Sequence, residues 1–520
     1  MPKSRNRYLA SVPLLLTSAL VISACAAQAP AAEDGSDAAG STIVVSNRNE
    51  VTTLDPSQSS YLQVDTAVSP MYDTLLTYDD TGALVGSLAS DFTYNDDATE
   101  ITLTMRDDVV FHDGTPFTAA DAKYTLDRIQ TIGTGIVGQM AGYSSSEAVD
   151  DATLTITLEA PDALFASKLS RVYIVNSALV SENEGSDNAQ SWLLNNDAGS
   201  GPYSLESSDS GTITYARFDD YFEFADDRPG TVVLRRIDEL SASRDELLAG
   251  TVDATSVSAA DIASVEDAGY TVVPVGSSMV IVWLNNATGA TADPAVREAL
   301  RLAYDYEGGL ASIRNGAGQL NTTMLPAGLS CEADLPEVHQ DLVEAQQILA
   351  DAGLSDLTLT LSYQPAFEEQ VQEATLLQSN LAEIGVELTL EPIAYADYLT
   401  SLTDWSTIPE MMLAGEGLPV PNPGVMITQV YDSAAVGTNK PAYSNPDVDA
   451  LIAEVKATPD ADAQCGLIQE IETILDADNA SLPLYSTDSS WAFSDAIAAP
   501  SSAPRLPSGQ LAIADLRVAD

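Results

Sequence analysis

The chain has 520 residues, 45% of them hydrophobic, enough apolar material for two or three compact units. Its 77 acidic residues stand against 21 basic ones, a net charge of −56, which repels phosphate backbones and anionic lipid surfaces and excludes nucleic acid as a partner. The acids are scattered and not run into blocks, as expected of a solvated surface. With two histidines, His112 and His339, and no C-x-x-C pair, neither a zinc ribbon nor a thioredoxin-like site is supported, and no cofactor or metal is expected.

The N-terminus has the layout of an export signal. Lys3, Arg5 and Arg7 form a basic start, residues 9–22 are mostly apolar, and Ile22-Ser23-Ala24 precede Cys25. The apolar stretch is shorter than the ~20 residues a spanning helix needs and is interrupted by Pro13, so residues 1–24 are expected to be removed. Their loss leaves 18 basic residues against 77 acidic ones, a net of −59. Residues 25–40 then form a lipid-ready cysteine and a tether rich in Ala, Gly, Ser and Asp, and folded structure is expected from about Ser41.

Further along, Ile101, Leu103 and Met105 alternate with polar residues, as do Leu154, Ile156 and Leu158, the pattern of half-buried strands. Between them Thr118-Ala119-Ala120-Asp121 marks a helix start. Strands are expected at 212–218, 231–237, 270–275 and 279–285. Asp293 and Pro294 open a helix, and another around Leu342, Ala345, Leu349 and Ala352 ends at Gly353. Residues 357–393 read as strand, helix and strand, a parallel β-α-β crossover. The fold class is therefore α/β, with mixed sheets flanked by helices.

Catalytic patterns are missing. The run Gly133-Thr134-Gly135-Ile136-Val137-Gly138 matches G-x-G-x-x-G but follows a helix, which denies it the phosphate-cradling geometry. No G-x-S-x-G, H-E-x-x-H or P-loop occurs, and in so acidic a chain pairs of carboxylates near in sequence carry no signal. The chain is read as a non-enzyme. Export would allow a disulfide between Cys331 and Cys465, the alternative being two separate buried thiols.

Several segments together carry a resemblance. These are Thr53-Leu54-Asp55-Pro56, Met71 to Leu76, the stretch from Val110 to Tyr124 (VFHDGTPFTAADAKY), Gly199-Ser200-Gly201-Pro202-Tyr203, Gly250 to Asp253, Asp293 to Leu300 and Tyr443 to Asp449. In this order they resemble the family 5 bacterial extracellular solute-binding proteins, the binding components of oligopeptide, dipeptide and nickel importers of the ABC type. Ile22 to Cys25 likewise resembles a lipoprotein cleavage site, with Cys25 as the lipidated residue.

The resemblance implies a periplasmic-binding-protein-like fold of two lobes and a hinge. The first domain would be discontinuous, at 41–85, 196–290 and 480–520, with a second domain at 86–195 and a third at 291–479. It implies a monomer that binds a peptide or another small polar solute and works with ABC permease subunits. Its place would be the outer face of the bacterial cell membrane, held there only by lipid. A secreted hydrolase, or a receptor lipoprotein of the same fold, is the alternative. Peptide-binding members anchor the ligand's amine on an aspartate in G-W-x-A-D-Y-x-x-P; here Glu416 stands at the tryptophan and Pro419 at the aspartate, which puts the ordinary peptide ligand in question. Tyr61, Trp283, Asn285, Glu416 and Asn422 are the expected ligand contacts. Trp405 is expected in the core, Tyr203 behind the hinge, and His112 on the surface as scaffold.

Overall fold

The computed structural model describes residues 38–498 and 511–519, apart from 49, 60, 61, 80, 210 and 419. The export signal, Cys25, most of the tether, Tyr61 and Pro419 lie outside the described residues. The described structure begins at Ala38, three residues before the expected start. Ala38 to Gly40 form a 3-10 turn whose Ala38 carbonyl accepts from the Gly230 amide at 2.8 Å.

In chain order, β1 (Thr42–Asn47) is followed by β2 (Ala89–Tyr94), β3 (Glu100–Met105), helix α1 (Ala119–Ile132), β4 (Tyr143–Asp150) and β5 (Thr153–Leu158). Strands β2 to β5 make an antiparallel sheet in the order β2-β3-β5-β4. The alternating residues Ile101, Leu103, Leu154 and Ile156 point from it into a common core with Leu126 and Ile129 of α1. The helix starts as expected, with the Asp121 carboxylate accepting from the Thr118 amide at 2.9 Å. Gly133 ends it with a left-handed cap, φ 67°. The glycine run thus terminates a helix instead of opening one.

Next come β6 (Tyr203–Asp209), β7 (Thr212–Arg217), β8 (Thr231–Arg236), β9 (Ala254–Val257) and β10 (Thr271–Leu284). After them run α2 (Pro294–Ala303), α3 (Leu342–Asp351), β11 (Thr358–Tyr363), α4 (Glu368–Glu383), β12 (Glu387–Pro392), α5 (Tyr395–Ser401) and β13 (Met411–Gly417). The chain ends its second half with α6 (Pro423–Val430), α7 (Pro446–Ala457), α8 (Ala461–Ala477) and β14 (Ser481–Phe493). The β11-α4-β12 unit is parallel, Thr358 facing Glu387.

One sheet runs β12-β11-β13-β10-β14-β9-β1-β8-β7-β6. Among the described residues its two halves are joined through β10 and β14, which pair antiparallel from Thr271 opposite Phe493 to Trp283 opposite Ser481. Residues 270–275 and 279–285, expected as two strands, are one. Ladder pairing continues through the intervening small residues with a register shift between Val275 and Ser277, a bulge that bends the strand without ending it.

The β2 to β5 sheet is tied to the β1 half by buried polar contacts. Arg128 on α1 holds Asp55 with two bonds of 2.9 and 2.7 Å and also donates to the Asn188 carbonyl; both charged side chains are almost fully buried. His112 is not on the surface. Its Nδ1 lies 2.7 Å from Asp197 Oδ2, its Nε2 2.8 Å from the Gly201 carbonyl, and its ring packs edge-on to Phe218. Both partners are acceptors, so the imidazolium suits the site. Burial opposes that charge, but the bond to Asp197 and its negative charge outweigh burial and raise the histidine pKa. The adjoining Gly199 and Gly201 are required because a Cβ would sit 1.9 Å from the Met71 carbonyl oxygen and 2.5 Å from the Met71 carbonyl carbon, respectively.

Across the second half, a bond between Cys331 and Cys465 fastens a loop to α8 over a sequence separation of 134. Beside it Glu472 accepts from the Ala333 amide at 2.7 Å, and burial pushes its carboxyl up to about 7.

Arg128→Met leaves Asp55 as an uncompensated buried charge and should cost about 3–5 kcal/mol in urea unfolding; a loss below about 1 kcal/mol would show the pair to be dispensable. For His112 the folded pKa is raised, so its stabilisation is complete below the unfolded value of about 6.5 and is lost as pH rises through the folded value. The stability difference between wild type and His112→Gln should therefore be larger at pH 5.5 than at pH 9, measured by the same unfolding curves.

Candidate functional site

The parallel strands β11, β12 and β13 end at one edge of the sheet, beside the crossing strands, the place where open α/β sheets leave a crevice for ligands. A recess of about 900 Å³ lies there. Its walls come from the segment after β11 (Gln364 to Phe367), the segment after β12 (Pro392 to Tyr395), the start of α4 (Glu369, Gln370), and Ser278, Val280 and Gly415 of the crossing region. Arg314 and Thr487 complete it.

Alternation along the strands decides which side chains reach this recess. On β10, Val280 lies on the recess face with Val282 and Leu284, while Met279, Ile281 and Trp283 point into the opposite core. On β13, Gly415 faces the recess and Glu416 projects to the other side. There the Trp283 indole donates to Glu416 Oε1 at 3.1 Å, and Lys440 binds the other carboxylate oxygen. The Lys440 ammonium also lies 5.5 Å from the Trp283 ring centre, and Tyr431 packs edge-on to that ring. Trp283 and Glu416 are thus brought together, with the carboxylate neutralised from within.

The other expected contacts serve the scaffold in this arrangement. Asn285 is buried; its Nδ2 donates to the Ile408 carbonyl at 3.1 Å and its Oδ1 accepts from the Ala287 and Thr288 amides. Asn422 caps α6 by accepting from the Gly424 amide and reaches across to Ser167 Oγ at 2.9 Å. Trp405 packs against the core, as the sequence suggested, and Tyr203 is fully buried.

The recess also brings together Phe367, Tyr395, Arg314 and Gln370, which the sequence did not single out. Phe367 and Tyr395 are 53% and 56% exposed, unusual for large rings, and both line the recess. Burial first, and the negative Glu416 second, raise the Tyr395 phenol. Arg314 donates through Nε and Nη2 to Glu373 Oε1 at 3.0 and 2.8 Å, and Tyr485 donates to the same oxygen. Burial lifts the Glu373 carboxyl, against the pull of Arg314. The available signal was the crossover itself: a parallel β-α-β unit places the residues that follow its strands at one edge. Among the described residues no cluster of ligating side chains could hold a metal ion, and both ring nitrogens of His112 are engaged.

Neutral contacts, aromatic faces and self-paired charges around one large recess describe a surface for holding a molecule. Comparison with known proteins agrees. Residues 83–437 match the family model described as bacterial extracellular solute-binding proteins, family 5 middle. A probable D,D-dipeptide-binding periplasmic protein, DdpA of Escherichia coli, is 26% identical over 465 residues, covering 85% of this chain and 88% of the relative. Among solved structures, the ABC transporter substrate-binding protein CtaP of Listeria monocytogenes superposes with a TM-score of 0.81 at 22% identity, over 92% of this chain and all of that one. The binding protein DppA of Helicobacter pylori, solved with the peptide STSA, gives 0.76 at 19% identity over 92% and 98%. This chain belongs to the family 5 bacterial extracellular solute-binding proteins.

Proposed function

We propose that this protein is the extracytoplasmic binding component of an ABC importer. It captures a short peptide or a similar small solute between two lobes and presents the closed form to the permease. The observation that carries this reading is the recess beside β10 and β14. A ligand held there touches the crossing strands and the second half of the sheet together, so its binding energy can bias a hinge. No covalent step is assigned; the protein works by closing and opening on its solute. Relatives with names such as DdpA point to peptides as the first class to test.

The domain division of 41–85, 196–290 and 480–520, then 86–195, then 291–479 fits a hinge at the crossing strands, since its boundaries at 290/291 and 479/480 fall just after Leu284 and just before Ser481, at one end of their ladder. Lipidation at Cys25 would place the protein on the outer face of the cell membrane, consistent with the absence, among the described residues, of any helix long and apolar enough to span a bilayer.

Two experiments test the proposal. Cys25→Ala should move the protein from the membrane fraction to the soluble fraction, and the wild-type N-terminal peptide should carry the mass of a diacylglyceryl group; an unlipidated membrane-bound wild type would refute the anchor. In thermal unfolding, a solute present at ~100 times its dissociation constant should stabilise the protein by about 2.7 kcal/mol, and hydrolysis of that solute during the experiment would refute the binding role.

A further inference from the structure

One ion pair lies behind the sheet strand next to the recess and one at its wall, and each is closed on itself. Glu416 is held by Lys440 and the Trp283 indole on the far face of β13. Arg314 is backed by the buried Glu373. Neither leaves a fixed, unpaired charge to meet the charged end of a ligand; the remaining acid on the lining, Glu369, is exposed at the rim.

What the recess does offer is a set of unspent donors. Gln370 is 6% exposed and lines the recess; its Oε1 accepts from the Gln364 amide at 2.9 Å, while its Nε2 makes no hydrogen bond among the described residues. This donor is open to the recess, where a ligand oxygen can take it. Arg314 bonds Glu373 through Nε and Nη2, and its Nη1 is not used in that pairing. Helix α4 opens at the same place with Phe367 at its cap position and no side-chain cap, leaving first-turn amides open. Beside these donors stand the exposed rings of Phe367 and Tyr395.

We infer that the recess recognises an uncharged, amide-bearing segment with a large apolar side group, and does so without anchoring a terminal amine or carboxylate. Ligand carbonyl oxygens take the hydrogens of Gln370 Nε2 and Arg314 Nη1. The apolar group lies against Phe367 and Tyr395. This rests on the solute-binding reading above and narrows its ligand class.

The test is titration calorimetry with four probes: Ala-Phe-Ala, its acetylated and amidated form, Ala-Ala-Ala, and the blocked form of Ala-Ala-Ala. Blocking both ends of Ala-Phe-Ala should change affinity by less than about threefold, and replacing Phe by Ala should weaken it by about tenfold or more. Gln370→Glu keeps the acceptor for the Gln364 amide but removes the donor, and should weaken blocked Ala-Phe-Ala by about tenfold. Phe367→Ala should do the same, with the melting temperature of both variants recorded to confirm folding. Loss of binding on blocking the ends, or wild-type affinity in both folded variants, overturns the inference and leaves the solute-binding reading in place. Failure of all four probes to bind removes the peptide ligand and this inference together.

Discussion

The pairing of β10 with β14 is the constraint on which the rest of the molecule depends. These two strands run antiparallel along 13 or 14 residues each, and among the described residues the sheet passes through them from the β1 half to the β13 half. A pair of strands is strong along its ladder and soft to twist and bend. The bulge after Val275 sits between the part of β10 that pairs with β14 alone and the part also flanked by β13. Bending is thereby concentrated where only two strands cross, while the layers on either side keep their packed cores. A recess placed against that crossing is sensitive to the angle between the halves.

The charge distribution makes sense in the same frame. In a chain of net charge −56, several of the few cations are spent on buried or half-buried acids: Arg128 on Asp55, Arg171 on Asp65, Arg314 on Glu373 and Lys440 on Glu416. Arg128 and Arg171 tie the β2 to β5 sheet and the segment after it to Asp55 and Asp65. Arg314 pairs with Glu373 at the wall of the recess, and Lys440 pairs with Glu416 on the other face of β13. Where each arginine is used follows from desolvation, since a buried carboxylate without a partner is far costlier than an exposed one.

Much of the fold was legible in the sequence. Period-two alternation marked β3 and β5, the Thr118 to Asp121 pattern marked α1, and the β11-α4-β12 crossover was read with its helix and both strands. The continuity of β10 was not legible, because Gly276-Ser277-Ser278 looks like a turn and only the facing β14 ladder holds it extended. The burial of His112 depends on Asp197 and Gly201, nearly 90 residues away. The residues of the candidate recess were not legible in the same way. Trp283 and Glu416 do meet, but strand parity turns them to the face away from the recess, and Asn285 and Asn422 satisfy backbone groups. The residues that line the recess are ordinary types in loops after strands, and only the parallel register of β11, β12 and β13 shows that those loops converge.

The most direct measurement is hydrogen–deuterium exchange of the folded protein with and without a saturating short apolar peptide. Protection should appear in 364–371 and 392–399 and in the crossing strands around 275–281 and 486–490. Protection confined instead to the far end of the sheet around Asn47, Thr212 and Arg236, or no change in a protein shown to bind the peptide, would contradict a ligand held against the crossing of β10 and β14.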